Sequence, residues 1–282
     1  MSKIVLSHSQ AKQLLTAKSQ AGTWILISLD LGLTETQVEF HQDGIELPDG
    51  EGKISWEQLS LIAKDESCCY QLQRDEIIPI RLFSENTGWV YSLMPTQRAP
   101  TLLISGIPMH RFKGTDPYQD TIEKIKASGA IFGKVLDTAT GLGYTAIQAA
   151  KKAVQVVTIE RDAEVIQIAR QNPWSQELFN NPKIIQIIGD SYQEITAFGD
   201  GEFRIIIHDP PAFHLSGELY SLEFYQQAWR VLNHKGKMFH YIGDPSSKMG
   251  AGVMRGVIRR LIEAGFSQVI HKPNAFGVLA FK

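Results

Sequence analysis

Residues 135–145 read Val135-Leu136-Asp137-Thr138-Ala139-Thr140-Gly141-Leu142-Gly143-Tyr144-Thr145. An apolar strand runs into a glycine-rich turn, and the turn runs into a helix. Glycine adopts positive φ and lets a ligand approach the backbone, and a helix N-terminus offers free N–H groups beside it. A Gly-x-Gly pair alone is a weak signal, because plain tight turns carry it too. Its meaning depends on what flanks it.

The flanks repeat one arrangement. Residues 155–159 read as the next strand and end on Glu160, 17 residues after Gly143, where a carboxylate can accept ribose hydroxyls. Residues 183–188 read as a third strand, closed by Gly189-Asp190-Ser191. Residues 203–208 read as a fourth, running into His208-Asp209-Pro210-Pro211-Ala212-Phe213. Further strands are expected over 134–138, 237–242, 268–271 and 277–281, and helices over 117–127, 144–153, 163–171, 217–232 and 253–264. Strands separated by helices imply crossover connections and a parallel sheet. The last two strands, split by a turn at 272–274, fit a hairpin. Acids at the ends of successive strands meet at the carboxyl edge of such a sheet. Taken singly, each is also a helix cap or a solvated turn residue, Asp190 most of all.

The segment from Asp137 to Asp209 resembles the core of class I S-adenosylmethionine-dependent methyltransferases. The resemblance rests on the turn Asp137–Gly143, the acids Glu160 and Asp190, and Asp209-Pro210-Pro211. Ala139 stands where that family has its first glycine. The dinucleotide dehydrogenase spacing fits less well, since Gly141-Leu142-Gly143 is followed by Tyr144-Thr145-Ala146. The stretches Ser105-Gly106-Ile107-Pro108-Met109-His110-Arg111, Gly114-Thr115-Asp116-Pro117 and Gly217-Glu218-Leu219-Tyr220-Ser221 extend the similarity. Together they resemble an uncharacterised prokaryotic family described as methyltransferases and in part as spermine-synthase-like. The similarity spans nearly the whole chain.

The resemblance implies an α/β fold. A Rossmann-like, seven-stranded, mostly parallel sheet over residues 112–282 would follow a β-rich N-terminal module over residues 1–111. It also implies roles. Asp137 would order the turn and approach the methionine amino group of S-adenosylmethionine, with Thr138 and Ala139 beside it. Gly141 and Gly143 would make room for the cofactor, Glu160 would bind the ribose hydroxyls, and Arg161 would flank the adenine. Asp190 would accept from the adenine amino group near the Ser191 backbone. Asp209, Pro210, Pro211 and Phe213 would form the catalytic loop beside the sulfonium methyl.

Methyl transfer is an in-line displacement, and positioning supplies much of its acceleration. A carboxylate and a proline-stiffened carbonyl can accept the N–H groups of an amine and aim its lone pair. Asp209 and the carbonyl of Pro210 therefore favour a nitrogen acceptor on a small molecule or protein group. An aromatic directly after the second proline would suit a stacked, flipped base. Here that place is Ala212, with Phe213 one residue later, a form also found among RNA methyltransferases. RNA (tRNA or rRNA) modification stays open, as does aminopropyl transfer from decarboxylated S-adenosylmethionine, in which Asp209, Glu218 and Glu223 would bind a polyamine. A cysteine-dependent mechanism is disfavoured, since Cys68 and Cys69 both lie far upstream.

Several flanking residues read two ways. Asp116 before Pro117 reads first as a helix N-cap. His110, Arg111 and Lys113 suit either an anion or a solvated linker. His208 reads as a core residue. His214, Glu218, Tyr220 and Tyr225 would line a substrate pocket or face solvent at a helix start, and Tyr241, Gly243 and Asp244 lie where that pocket would close. The basic run 248–260 reads as a solvated helix face.

The first 110 residues read differently, as short strands at 24–30, 36–40, 77–83, 89–93 and 101–107. Turn signals at Asp43-Gly44, Pro48-Asp49-Gly50 and Asn86-Thr87-Gly88 divide them. Helices are expected at 10–19, capped by Ser9, and 56–64, capped by Ser55. This module would shape substrate access or mediate homodimer formation. It carries 8 basic and 13 acidic residues against 20 and 17 in the remainder. The overall formal charge of −2 argues against a strongly basic nucleic-acid coat. RNA is permitted by the second half but not favoured. Two adjacent cysteines exclude a disulfide framework and a thiolate zinc cluster, so no metal is expected. No apolar run approaches the roughly 20 residues of a membrane span, and no signal peptide is evident. A cytoplasmic protein is the expectation.

Overall fold

The computed structural model describes residues 4–48, 52–244 and 248–282; the side chains of 248 and 249 and part of the turn expected at Pro48-Asp49-Gly50 lie outside the described residues. The chain divides into two compact units, residues 1–118 with 164–176, and residues 119–163 with 177–282.

The first unit opens with β1 (Val5–Leu6), α1 (His8–Ser19), β2 (Trp24–Ile27), β3 (Thr36–Phe40), β4 (Gly44–Glu46), β5 (Lys53–Ser55) and α2 (Trp56–Ile62). β6 (Tyr70–Gln73), β7 (Glu76–Pro79), β8 (Arg81–Phe83), β9 (Val90–Met94), β10 (Thr101–Ile104) and β11 (Ile107–Pro108) follow. These strands make three antiparallel sheets, ordered β1-β6-β7, β2-β3-β4-β5 and β11-β10-β9-β8. Val38, Ile45, Ile54, Trp56, Leu59 and Leu14 pack into one apolar core.

Three local readings change. Ser7, not Ser9, caps α1: its hydroxyl accepts the Ser9 N–H while Gln10 closes a capping box. Ser55 caps α2 as expected, with Gln58 closing the box. The strand expected at 77–83 breaks at buried Ile80, whose N–H turns to the Cys69 carbonyl at 2.8 Å. The strand expected at 101–107 is a two-residue hairpin, with Ser105 at φ 46° and Gly106 at φ 86°.

The second half alternates. It contains α3 (Pro117–Ala127), β12 (Lys134–Asp137), α4 (Tyr144–Ala150), β13 (Gln155–Glu160), α5 (Ala163–Gln171), α6 (Gln176–Asn180) and β14 (Ile184–Ile188). Then come α7 (Ser191–Glu194), β15 (Phe203–His208), α8 (Leu222–Val231), β16 (Leu232–Tyr241), α9 (Lys248–Glu263), β17 (Gln268–Lys272) and β18 (Gly277–Phe281). One seven-stranded sheet results, in the order β14-β13-β12-β15-β16-β18-β17. The first five strands pair in parallel, and β18 runs antiparallel to both neighbours. This is the Rossmann-like, mostly parallel sheet expected from the sequence, with the terminal hairpin. The helix expected at 217–232 is divided into a 3-10 turn, Gly217–Tyr220, and α8, because the Ser221 hydroxyl caps α8 by accepting the Phe224 N–H. The next strand starts five residues early, its first part turning through Lys235 at φ 64°.

Strand order reverses at β12. Consecutive parallel strands run outward from it to β13 and β14, and the chain then returns to place β15 on its other side. At such a switch point the neighbouring connections leave in opposite directions and open a crevice above the carboxyl ends. Asp137 and Asp209 end the two strands that flank it.

Candidate active site

The glycine turn is held by a bond within itself and by the neighbouring strand β13. The Gly143 N–H donates to the Thr140 carbonyl at 2.7 Å, and the Thr140 N–H donates to the Ile159 carbonyl at 2.9 Å. Gly143 begins α4 at φ 78°, and a side chain there would meet Leu178 Cδ2 at 2.7 Å. Gly141 also has positive φ, 51°, but a Cβ on it would meet nothing within 4 Å. The turn is thus packed on the Gly143 side and open above Gly141.

Asp137 is fully buried. Its Oδ2 accepts the hydroxyls of Thr158, at 2.9 Å, and Thr145, at 3.1 Å. Its Oδ1 is buried with no hydrogen-bond partner among the described residues. Burial pushes its carboxyl up to about 7; the two hydroxyls pull the other way, and the charges of Asp209 and Glu160 add to the rise. A buried carboxylate oxygen without a donor is costly. A cationic or N–H-bearing group of a ligand would supply that donor.

Glu160 Oε2 accepts the Gly141 N–H at 2.8 Å, and its Oε1 accepts the Asp162 N–H at 3.2 Å. Burial raises its carboxyl to about 7 against these two hydrogen bonds. Asp190 caps α7 by accepting the Tyr192 N–H at 2.9 Å. Half-exposed Arg161 lies between carboxylates, 3.8 Å from Asp190 Oδ2 and 3.6 Å from Glu218 Oε1. The Ser191 hydroxyl donates to the Thr138 carbonyl at 2.6 Å, which ties the third strand's end to the first. Ala139 is partly buried.

The loop after β15 is fixed from behind. The Pro211 carbonyl accepts both the Ser216 hydroxyl, at 2.9 Å, and the Tyr220 hydroxyl, at 3.1 Å. Phe213 is 48% exposed and meets Tyr220 edge-on at 5.4 Å between centroids. Pro210 is buried. Beneath the loop, His208 is fully buried, as read from the sequence. Its Nε2 faces the Leu219 carbonyl at 2.9 Å, so that nitrogen carries the proton and Nδ1 accepts the Thr138 hydroxyl at 2.6 Å. Burial lowers its pKa to about 3, so it stays neutral and structural. His240, 4.4 Å from it between ring centroids, is also held well below the ordinary histidine range by burial.

The sequence did not point to Lys124. Its side chain is 1% exposed; Nζ lies 2.7 Å from Asp209 Oδ2 and 3.0 Å from Asp120 Oδ2. Burial works against its charge, but the carboxylates of Asp209 and Asp120 outweigh it and hold the ammonium above the usual lysine range. A signal was present: Asp120, Thr121, Lys124 and Ser128 are all buried and polar, at helical spacing. A charged residue on the buried stripe of a helix calls for a partner. Elsewhere, Asp116 accepts the Tyr118 N–H at 2.9 Å, the cap expected of it, and the His110 ring pairs with the Thr101 hydroxyl at 3.0 Å.

Residues 116–259 match the family model of the methyltransferase small domain. The chain belongs to that family. This methyltransferase is 41% identical to the uncharacterized protein MJ1233 of Methanocaldococcus jannaschii, over 100% of this chain and 99% of that protein. Its fold is shared with solved structures of low identity. A spermidine synthase in complex with the transition state analogue AdoDATO has a TM-score of 0.59 at 21% identity, with 71% of each chain covered. The spermidine synthase of Thermotoga maritima has a TM-score of 0.56 at 20% identity, over 71% of this chain and 70% of that one. MNMC2 of Aquifex aeolicus has a TM-score of 0.50 at 18% identity, over 70% of this chain and 72% of that one. The methyltransferase is a class I enzyme whose cofactor is S-adenosylmethionine. The open face above Gly141 and the unpartnered Asp137 Oδ1 fit that cofactor. Among the described residues no helix is long and apolar enough to cross a membrane.

Proposed function

We propose that this methyltransferase alkylates a nitrogen atom, carried by a small molecule or a protein group, that Asp209 and the Pro210 carbonyl orient. One observation carries the reading. Asp209 is the acid at the crevice end of β15, its side chain is 15% exposed, and one of its oxygens is already bound by Lys124. An amine in the crevice would donate an N–H to this fixed carboxylate.

Bound S-adenosylmethionine supplies a sulfonium-activated methyl carbon. Asp137 Oδ1 receives the cofactor's ammonium, Glu160 the ribose hydroxyls, and Asp190 with the Ser191 backbone the adenine edge, while Arg161 flanks the ring. Thr138, Ala139, Gly141 and Gly143 supply the backbone of the cradle, with its open face above Gly141. Asp209 and the Pro210 carbonyl accept two N–H groups of the amine, so its lone pair faces the methyl carbon. Pro211 stiffens that loop through its two hydroxyl donors, and Phe213 forms the exposed wall of the acceptor site. In this reading residues 112–282 carry the chemistry, and residues 1–111 shape access for the acceptor or hold a second copy of the chain.

Calorimetry with S-adenosylmethionine and with its decarboxylated form tests the transferase type. Tighter binding of the intact cofactor supports methyl transfer. Preference for the decarboxylated form supports aminopropyl transfer, for which exposed Glu218 near Arg161 would be a second amine contact. Mass spectrometry of metabolites and RNA from cells with and without the gene identifies the acceptor. A lost modification on RNA alone would replace the small-molecule or protein reading.

A further inference from the structure

We infer that Lys124 is a positioning residue for the transfer: it clamps one oxygen of Asp209 and offsets its charge, so that the acceptor amine is held neutral rather than as an ammonium ion. The inference rests on the nitrogen-acceptor reading above.

The groups facing the Lys124 ammonium include Asp120 on its own helix, Asp209 on the loop after β15 and Tyr241 at the end of β16, whose ring centroid is 4.1 Å away. Tyr220 and Asp137 also feel the charge of Asp209. Buried ion clusters of this kind are often no more stabilising than apolar side chains of the same volume. The placement is therefore better explained by what it does to Asp209.

A carboxylate beside an amine favours the protonated amine, because opposite charges attract. An ammonium has no lone pair and cannot attack a methyl carbon. Asp209 alone would thus hold the acceptor in its unreactive form. With Lys124 in contact, the carboxylate keeps its hydrogen-bond acceptor atoms while much of its charge is cancelled. Asp120 is buried, whereas Asp209 keeps a side chain 15% exposed at the crevice end of β15. The clamp also removes the rotational freedom of the carboxylate, which orientation requires.

Sinefungin tests this without knowledge of the acceptor. It replaces the sulfonium methyl of S-adenosylmethionine by an amine on carbon, so its amine lies where the methyl group meets Asp209. S-adenosylhomocysteine lacks that amine and is otherwise nearly the same. The ratio of their affinities reads the charge at Asp209 and cancels effects common to the methionine and ribose parts, including titration of Asp137 and Glu160. In the wild-type chain the ratio should change less than threefold between pH 6 and pH 8, because Lys124 stays charged. In Lys124→Met, Asp120 and Asp209 lose the ammonium that bridges them, which favours a retained proton that leaves as pH rises. The preference for sinefungin should then climb about tenfold over the same range. Lys124→Arg should keep the flat profile. Asp120→Asn, a milder change, should lower the preference for sinefungin at every pH, since it removes a negative charge beside the Lys124–Asp209 pair.

A lysine needed only for packing would weaken both ligands together and leave the ratio flat in Lys124→Met; that result, or an unchanged ratio in Asp120→Asn, overturns the inference. Retained S-adenosylhomocysteine binding shows that each variant is folded. Failure of the wild-type chain to bind either ligand would instead defeat the functional reading itself.

Discussion

Glu160 Oε2 accepts the backbone N–H of Gly141 at 2.8 Å. The acid ending the second strand therefore braces the turn that follows the first, and the carboxylate is aimed before any ligand arrives. Glu160→Gln keeps the size but replaces one acceptor oxygen by a donor. It should weaken S-adenosylmethionine by about tenfold or more, equivalent to about 1.4 kcal/mol, with the melting temperature changed by only a few degrees. Calorimetry and thermal unfolding on the same sample separate the two effects.

Gly141 and Gly143 should respond differently to alanine. A Cβ on Gly141 meets open space, so Gly141→Ala carries only the left-handed backbone cost of about 1–2 kcal/mol. Its main effect should be on cofactor affinity, because the methyl group enters the cradle. Gly143→Ala adds a clash with Leu178 at 2.7 Å, and overpacking costs about 1–3 kcal/mol more. Denaturant unfolding should rank Gly143→Ala well below Gly141→Ala in stability. Equal stabilities would show that the turn relaxes around Leu178.

Cofactor binding should release protons at mildly acidic pH. In the ligand-free protein Asp137 and Glu160 hold their protons until about pH 7, against ordinary values of 3.8 and 4.5. An ammonium at Asp137 and ribose hydroxyls at Glu160 favour the ionised carboxylates, so binding at pH 6 expels protons and binding at pH 8.5 expels none from this pair. Affinity should fall as pH drops below about 7. The same raised values mean that folding takes up protons between about pH 4 and pH 7, so these two groups make the ligand-free protein less stable as pH rises through that window. Calorimetry in two buffers of different ionisation enthalpy counts the protons; a zero count at pH 6 would show that neither acid meets the cofactor.

Asp209→Ala should abolish transfer while leaving cofactor affinity within a few fold. Lys124 keeps Asp120 at 3.0 Å, so the stability loss should stay below the roughly 3–5 kcal/mol of a buried ion pair broken outright. Single-turnover transfer with the acceptor found by mass spectrometry, beside thermal unfolding, checks both halves. Surviving transfer would remove Asp209 from the role given to it.

The two cysteines should resist alkylation in the native state. Burial raises the Cys68 thiol to about 11, and burial with the neighbouring thiol and Asp65 raises Cys69 well above its ordinary value. The reactive thiolate is scarce for both. Iodoacetamide at pH 8 should label them only in denaturant, as read by mass spectrometry.

Sequence alone determined most of the second half. The bounds of α3, α5, β15 and β18 were legible to the residue, and the mostly parallel sheet followed from alternation, because periodicity and glycine turns are local properties of the backbone, whereas the strand order was not legible. The acids Asp137, Glu160, Asp190 and Asp209 were legible for the same reason: each ends a strand. β4, β5 and β6 were not, since runs of three or four residues carry too little pattern, and their pairing partners are supplied by other segments. The sequence pattern favours Ser9 as the cap of α1, and only the backbone geometry settles the competition between two nearby serines for Ser7. Only the tertiary structure decided the chemistry within the site. Thr145 and Thr158 meet on Asp137 from 8 and 21 residues away, and Lys124 meets Asp209 from 85 residues away. No local rule encodes such meetings; they arise when the sheet brings strand ends together and burial leaves each charge in need of a partner.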